Sequence, residues 1–166
     1  MRDIKEILKE FLYVPVRLND ITPSDSAFYK KLRNGERLSQ DDFDTIYAWE
    51  FCISDEYNLF AENDIDDYSH YFDHSDDDYY HLTADGLDGA RKLGIKFKEY
   101  DAKKFQYFVI KKDDNFKDIR KRFPDLDFIF AWLKDDDFIL ITQNEVDGKK
   151  VEKFFKSNPE VEFSKF

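Results

Sequence analysis

The sequence predicts an α+β protein, in which a mainly helical region over residues 1–94 precedes an antiparallel sheet domain over residues 95–166. Apolar residues recur at helical spacing near the start of the chain, and short runs rich in Phe, Ile, Leu and Val recur after residue 104. The charge balance changes sign near Arg91, because most of the carboxylates precede it. We expect the two parts to pack as one body, since 166 residues fit one domain or two small ones.

Three helices are predicted at the start of the chain. The first spans residues 2–13 and ends before Pro15, because proline disfavours helical geometry in the residue that precedes it. Residues 22–25 (Thr-Pro-Ser-Asp) are a start signal for a second helix, which Asn34-Gly35 closes. Ser39 is a predicted N-cap for a third helix, from about residue 40 to a point between residues 53 and 61.

The region that follows is harder to assign. Over residues 62–84, Asp and Asn interrupt any helical pattern, while Tyr68, Tyr71 and Phe72 recur too regularly for a simple loop. Residues 86–93 are predicted to form a short helix closed by Gly94.

The C-terminal part shows a clearer alternation. Residues 95–99 suit an extra edge strand, because apolar and charged residues alternate there. The elements that follow are a strand over 105–110, a helix over 115–123, a strand over 126–133, a turn over 134–136, a strand over 138–142, a helix from Asn144 to Phe155 and a strand over 161–163. From residue 105 the order is β-α-β-β-α-β, the ferredoxin-like arrangement, in which the first and third strands are central. Both of these strands are nearly all apolar, as central strands should be.

Both faces of the strand over residues 105–110 are apolar, with Tyr107 and Val109 on one side and Phe108 and Ile110 on the other. Helices cover only one face of a ferredoxin-like sheet. The N-terminal helices are expected to cover the second face, and a homodimer contact through that face is the alternative.

The strongest functional signal is a segregation of charge. The whole chain has a net charge of -11, while residues 38–90, which we call the acidic block, carry sixteen carboxylates and neither Lys nor Arg. The other 113 residues hold 26 basic and 21 acidic residues and sum to +5. Eleven aromatic residues in the acidic block predict that it is folded, because disordered chains lack such apolar residues. Ordinary surfaces mix both signs, so this segregation indicates a polyanionic docking surface.

Composition also argues against several classes of protein. A pI near 4.7 disfavours direct binding of nucleic acid or of an anionic membrane, because both require clustered Lys and Arg. No apolar run approaches the length of a membrane span, and the first ten residues lack a secretory apolar core.

The single cysteine, Cys52, favours a reduced, cytoplasmic setting, which is the host cytoplasm if the chain is phage-encoded. Nearby carboxylates raise a thiol pKa, so we expect Cys52 to be a buried structural residue and not a nucleophile.

A metal-dependent enzyme or a metal-stabilised domain is one alternative function. If residues 70–74 are helical, His70 and His74 lie one turn apart beside Asp73, a spacing typical of zinc sites. Against this, histidines amid dense carboxylates are often partial counter-charges, and Tyr71 replaces the Glu of metalloprotease helices. We therefore expect no dedicated metal site and no cofactor.

The favoured expectation is a non-enzymatic protein inhibitor that occupies the basic nucleic-acid groove of a nuclease, a guided effector or a similar protein. Carboxylates would stand in for phosphates, and interleaved tyrosines would supply hot-spot contacts. Phage anti-defence proteins of the anti-CRISPR type and immunity proteins against nuclease toxins are similar in composition and size, without a shared motif. A ferredoxin-like oligomerisation or ligand-sensing module is a further alternative. The residues predicted to bind the partner are Asp64, Asp66, Asp67, Tyr68, Asp73, Asp76, Asp77, Asp78, Tyr79 and Tyr80.

Overall fold

A computed structural model describes residues 2–21, 26–57, 59, 63, 65–111, 119–133, 137–159 and 161–166. The chain divides into two compact units, and each unit is discontinuous in the sequence. The first, which we call the acidic unit, comprises Met1–Val16 and Asp41–Glu99. The second, which we call the sheet unit, comprises Arg17–Gln40 and Tyr100–Phe166. The predicted boundary follows residue 94, and the chain leaves the acidic unit for the last time after Glu99. The assignment of residues 17–40 to the sheet unit was not predicted.

The α+β class is confirmed, with two antiparallel sheets. The helices are α1 (Ile4–Phe11), α2 (Ser26–Arg33), α3 (Gln40–Trp49), α4 (Ala84–Lys92), α5 (Ile119–Arg122) and α6 (Glu145–Lys156). The strands are β1 (Cys52–Ser54), β2 (Phe72–Asp73), β3 (Tyr79–Leu82), β4 (Gln106–Ile110), β5 (Phe128–Trp132), β6 (Phe138–Thr142) and β7 (Phe163–Lys165). The described connections include the 3-10 helices Leu18–Asp20, Asp55–Tyr57, Asp66–Tyr71 and Ala102–Lys104.

The core of the acidic unit is formed around α1, whose predicted amphipathic pattern is confirmed. The Asp3 side chain caps the helix by accepting a hydrogen bond from the Glu6 N–H at 2.8 Å. Ile7, Leu8 and Phe11 are buried, and the Phe11 ring lies 5.2 Å from that of Phe72.

The acidic unit also contains a three-stranded sheet that was not predicted, in the order β1-β3-β2. Its strands are two to four residues long, which is too short for a period-2 pattern to stand out in the sequence. Along β3, Tyr79 is 45% exposed, whereas Tyr80, His81 and Leu82 are buried.

The sheet unit contains a four-stranded antiparallel sheet in the order β5-β6-β4-β7. Helix α6 covers one face, and Asn144 caps it as predicted, accepting a hydrogen bond from the Asp147 N–H at 2.8 Å. The buried cluster on this face contains Phe108, Ile110, Leu126, Phe128, Phe138, Leu140, Val151, Phe155 and Val161. In the strand order, β4 and β6 are the two inner strands, because each pairs with a neighbour on both sides.

The second face of this sheet is also buried, as its apolar pattern requires. Tyr107, Ile139 and Ile141 are 0% exposed. Residues 17–40 supply part of the cover: the Leu38 N–H donates to the Tyr107 hydroxyl at 2.9 Å, and the Arg37 guanidinium lies 4.8 Å from the centre of the Tyr107 ring.

A polar cluster centred on the buried Asp127 joins the two segments of the sheet unit. Asp127, which is 5% exposed, accepts a hydrogen bond from Arg17 Nε at 2.9 Å and another from the Tyr100 hydroxyl at 3.1 Å. Burial, and then the Asp127 carboxylate, raise the pKa of Tyr100 well above its ordinary value.

Two predicted elements differ from the structure. Residues 95–99 form no strand, because the Lys98 carbonyl accepts a hydrogen bond from the Tyr47 hydroxyl at 2.6 Å and the Ile95 N–H donates to Ala90 at 3.0 Å. The third helix ends earlier than predicted, at Trp49, because β1 begins three residues later.

The predicted start signal at 22–25, the turn at 134–136 and the first half of the helix at 115–123 lie outside the described residues. None of the described helices has the length and apolar composition needed to span a bilayer.

Candidate functional site

The charge segregation in the sequence coincides with the division into units. The acidic unit holds 7 basic and 20 acidic residues and has a net charge of -13, whereas the sheet unit holds 19 and 17 and has a net charge of +2. One compact unit therefore carries more than the whole net negative charge of the chain, which the slightly basic sheet unit partly offsets.

Not all of this charge is available to a partner, because Asp44 has a structural role. Its carboxylate is buried and receives two hydrogen bonds from the Arg91 guanidinium, at 3.1 and 3.3 Å. Arg91 Nε also donates to Glu99. The first basic residue after the acidic block thus neutralises one of the carboxylates within the core.

The 3-10 helix Asp66–Tyr71 presents Asp66, Asp67 and Tyr68 to solvent. Its last residue, Tyr71, lies against α4 at a place where two glycines leave room. A Cβ at Gly86 would lie 2.5 Å from the Tyr71 backbone oxygen, and one at Gly89 would lie 2.5 Å from its ring. The exposed carboxylates are therefore carried on a segment that packs firmly on the helix behind it.

The strands β2 and β3, with the loop over residues 74–78, form what we call the acidic hairpin. Two Asp side chains form hydrogen bonds with backbone groups of the loop. Asp73 Oδ1 accepts a hydrogen bond from the Ser75 N–H at 2.8 Å, and Asp76 Oδ1 accepts one from the Asp78 N–H at 3.0 Å. The Asp55 N–H ties the loop to the neighbouring 3-10 helix by donating to the Asp78 carbonyl at 2.9 Å. The loop conformation is thus set before any partner binds.

These hydrogen bonds also keep the carboxylates charged. Hydrogen bonds with Ser75 lower the pKa of Asp73, and the Asp78 N–H, followed by the His81 side chain, lowers the pKa of Asp76.

A shallow depression beside the hairpin concentrates these groups. It is lined by Ser54, Asp55, Glu56, Asp77, Asp78 and Tyr79. Within the described parts of the chain, no Lys or Arg forms an ion pair with any of these four carboxylates; Asp55 pairs with His74 at 3.1 Å. The depression is therefore an exposed anionic surface.

Among the described residues of the acidic unit, three large aromatic residues that lie near these carboxylates in sequence are exposed. Trp49 is 37%, Tyr68 is 36% and Tyr79 is 45% exposed. Tyr79 lines the depression itself, opposite Ser54 in the sheet. Such partly exposed aromatic residues are typical anchors of protein interfaces.

The predicted partner-binding residues are not all equivalent. Asp66, Asp67, Asp77, Asp78, Tyr68 and Tyr79 are exposed, and Asp73 and Asp76 are half-buried. Tyr80 is 6% exposed because it lies on the inner face of β3, where burial and then Asp55 raise its pKa. Asp64 lies outside the described residues. Asp55, Glu56 and Trp49 were not predicted, because the pairing that brings β1 beside β3 leaves no signal in the sequence.

The three histidines are not gathered into one site. The helical spacing that would align His70 with His74 is absent, because Phe72 and Asp73 form a strand. His74 bonds to Asp55 and stacks on Tyr80 with ring centres 4.0 Å apart, while His81 bonds to Asp76. In the described ranges, no three His, Cys, Asp or Glu side chains are placed to hold a metal ion.

Cys52 is exposed at the edge of the small sheet, so the prediction of a buried cysteine is wrong. Its pKa is nevertheless raised, first by partial burial and then by Glu50 and Asp76, as the acidic sequence context predicted. A raised pKa makes Cys52 a poor nucleophile.

Comparison with known proteins finds no matching family model, no matching curated protein and no matching solved structure.

Proposed function

We propose that this chain is a non-enzymatic inhibitor or regulator that binds the basic nucleic-acid groove of a nucleic-acid-handling protein. The observation that carries the proposal is the concentration of charge: a single compact unit has a net charge of -13. Like charges gathered on one folded unit oppose its compact state, so a surface of this kind is best explained by a partner of opposite charge.

The acidic hairpin is the centre of the proposed contact surface. Asp77 and Asp78 are exposed, and the hydrogen bonds of Asp73 and Asp76 fix the loop that carries them. A preformed loop loses little conformational entropy on binding, which favours affinity. Tyr79 supplies an aromatic anchor beside the carboxylates, and Arg side chains of a basic groove bond to carboxylates and stack on aromatic rings.

We further infer that the sheet unit has the ferredoxin-like arrangement. The strand order β5-β6-β4-β7, with antiparallel neighbours throughout, supports this inference because β4 and β6 are the first and third strands of the predicted series. This arrangement identifies a scaffold and no activity, because the same fold hosts many functions.

The test is capture of partners from the native host lysate at low salt, with the bound proteins identified. The proposal predicts a basic nucleic-acid-binding protein that is released by salt and displaced by added DNA or RNA. A variant with Asp76, Asp77 and Asp78 replaced by Asn should associate about tenfold more slowly with that protein and show a weaker salt dependence.

The matched control replaces three exposed glutamates of the sheet unit, Glu36, Glu145 and Glu162, by Gln. It removes the same amount of charge and should leave association nearly unchanged, because the removed charges lie outside the proposed surface. Equal effects of the two variants, or a captured partner that nucleic acid fails to displace, would contradict the proposal.

A further inference from the structure

His81 lies where the acidic hairpin meets the end of α3, and both of its ring nitrogens face oxygen atoms. Nδ1 is 2.5 Å from the carbonyl oxygen of Trp49, the last residue of α3, and Nε2 is 3.2 Å from Oδ2 of Asp76. The residue is only 7% exposed, so the protein supplies its hydrogen-bond partners.

Neither partner of His81 donates a hydrogen bond. A backbone carbonyl only accepts, and Asp76 is an acceptor because its lowered pKa keeps it ionised. A neutral imidazole has one N–H and one lone pair, so it would make one bond and set its lone pair against an oxygen at the other contact. Both bonds exist together only when both nitrogens carry a proton and the ring is an imidazolium.

The groups around the ring also suit a positive charge. The Trp49 indole stacks on it with ring centres 3.8 Å apart and planes within 4°, which is a cation–π geometry. The carbonyl end of α3 carries partial negative charge, and no basic residue lies in the last turn of that helix. A protonated His81 would supply the cation that this helix end otherwise lacks.

The neighbouring strands add no Lys or Arg, but His74 in the loop acts electrostatically on the same Asp73 and Asp76 carboxylates. Opposite His81 lie Asp73 on β2, which hydrogen bonds with Ser75 keep ionised, and Cys52 on β1, whose raised pKa keeps it neutral. The Tyr79 ring is 6.4 Å away, edge-on. Residues 49–82, which contribute all these groups, contain no Lys or Arg, and the charged group beside Cys52 is the carboxylate of Glu50.

We propose that His81 is a proton-binding latch, which as an imidazolium joins the end of α3 to the loop of the acidic hairpin. Loss of the proton releases either the Trp49 carbonyl or Asp76, so protonation controls how firmly the loop is held. This latch regulates the surface of the proposed function, but the proton site itself exists whether or not that surface binds a partner.

The first test is nitrogen NMR of the three histidine rings in the full chain at neutral pH. Both ring nitrogens of His81 should carry a proton. In Asp76→Asn the amide N–H donates to Nε2, so a neutral ring with its proton on Nδ1 satisfies both contacts, and His81 should become neutral. A neutral His81 in the unmodified chain, or an unchanged His81 in Asp76→Asn, would overturn the proposal.

The second test is hydrogen exchange of the Asp55 N–H, which bonds to the Asp78 carbonyl of the loop. Its protection factor should fall about tenfold as the pH rises through the titration of His81, because one charge-assisted hydrogen bond is lost. His81→Gln, which keeps a donor without titrating, should abolish the fall, and the control His74→Gln should retain it. An equal fall in His81→Gln would refute the latch, and neither test requires a partner protein.

Discussion

Replacing Gly86 by Ala should lower the free energy of unfolding, although Ala is the better helix former. A Cβ at this position would lie 2.5 Å from the backbone oxygen of Tyr71. That oxygen accepts a hydrogen bond from the Thr83 N–H at 3.0 Å, so it cannot move away without breaking the bond. Ordinary contact begins at 3.4 Å, so the helix and the 3-10 segment must separate by about 0.9 Å.

The expected size of the effect follows from two opposing contributions. Forcing an extra methyl group into a packed contact costs about 1–3 kcal/mol, and a backbone obstacle places the cost at the upper end. Ala offsets about 1 kcal/mol of this by its helix propensity. The net expectation is a loss of about 2 kcal/mol, measured as a lower urea midpoint with an unchanged m value.

Gly89→Ala is the matched comparison, because the three atoms nearest to its Cβ would all be side-chain atoms of Tyr71. In a Tyr71→Ala background that obstacle is gone, and Gly89→Ala should stabilise the chain by up to about 1 kcal/mol. Gly86→Ala should remain destabilising in the same background, because the backbone oxygen stays in place. A neutral Gly86→Ala, or its rescue by Tyr71→Ala, would refute this account of the packing.

Two further predictions concern buried ionisable groups. Arg91→Ala leaves the buried Asp44 carboxylate without its two hydrogen bonds and should lower the free energy of unfolding by about 3 kcal/mol in urea denaturation; a loss below about 1 kcal/mol would show that water replaces the guanidinium. Because the pKa of Tyr100 is raised, the folded chain keeps the phenolic proton at alkaline pH values at which the unfolded chain loses it. The contribution of Tyr100 to the free energy of unfolding is therefore complete below about pH 10 and declines as the pH rises further. Tyr100→Phe should therefore flatten the alkaline decline in the free energy of unfolding, and an unchanged slope would assign the decline to other groups.

The elements predicted well from the sequence are those whose signals are local. Four apolar residues in a row identify β6, and Asn144 or Gly94 marks a helix end because the capping geometry depends on the residue itself. The small sheet of the acidic unit has no such signal. Its strand β2 has two residues, and its pairing with β3 depends on a loop of aspartates that reads as irregular structure.

The candidate site was predictable in composition and only partly in geometry. The acidic loop at residues 76–78 follows directly from the sequence, whereas the burial of Tyr80 beside the exposed Tyr79 depends on which face of β3 is covered. The contacts of His81 with Trp49 and Asp76 could not be predicted, because they join a helix end, a strand and a loop whose positions only the fold determines.

The discontinuity of the sheet unit has a consequence for the order of events on the ribosome. Arg17 cannot form its hydrogen bond with Asp127 until Asp127, which is 110 residues later in the chain, has been synthesised. At a synthesis rate of about 5–20 residues per second, this interval lasts roughly 5–20 s. During it Leu18, Phe28 and Leu32, which are buried in the finished protein, have no completed sheet to pack on. All residues of the acidic unit emerge before the sheet is complete, and its charge of -13 disfavours association between nascent chains while that apolar segment remains exposed.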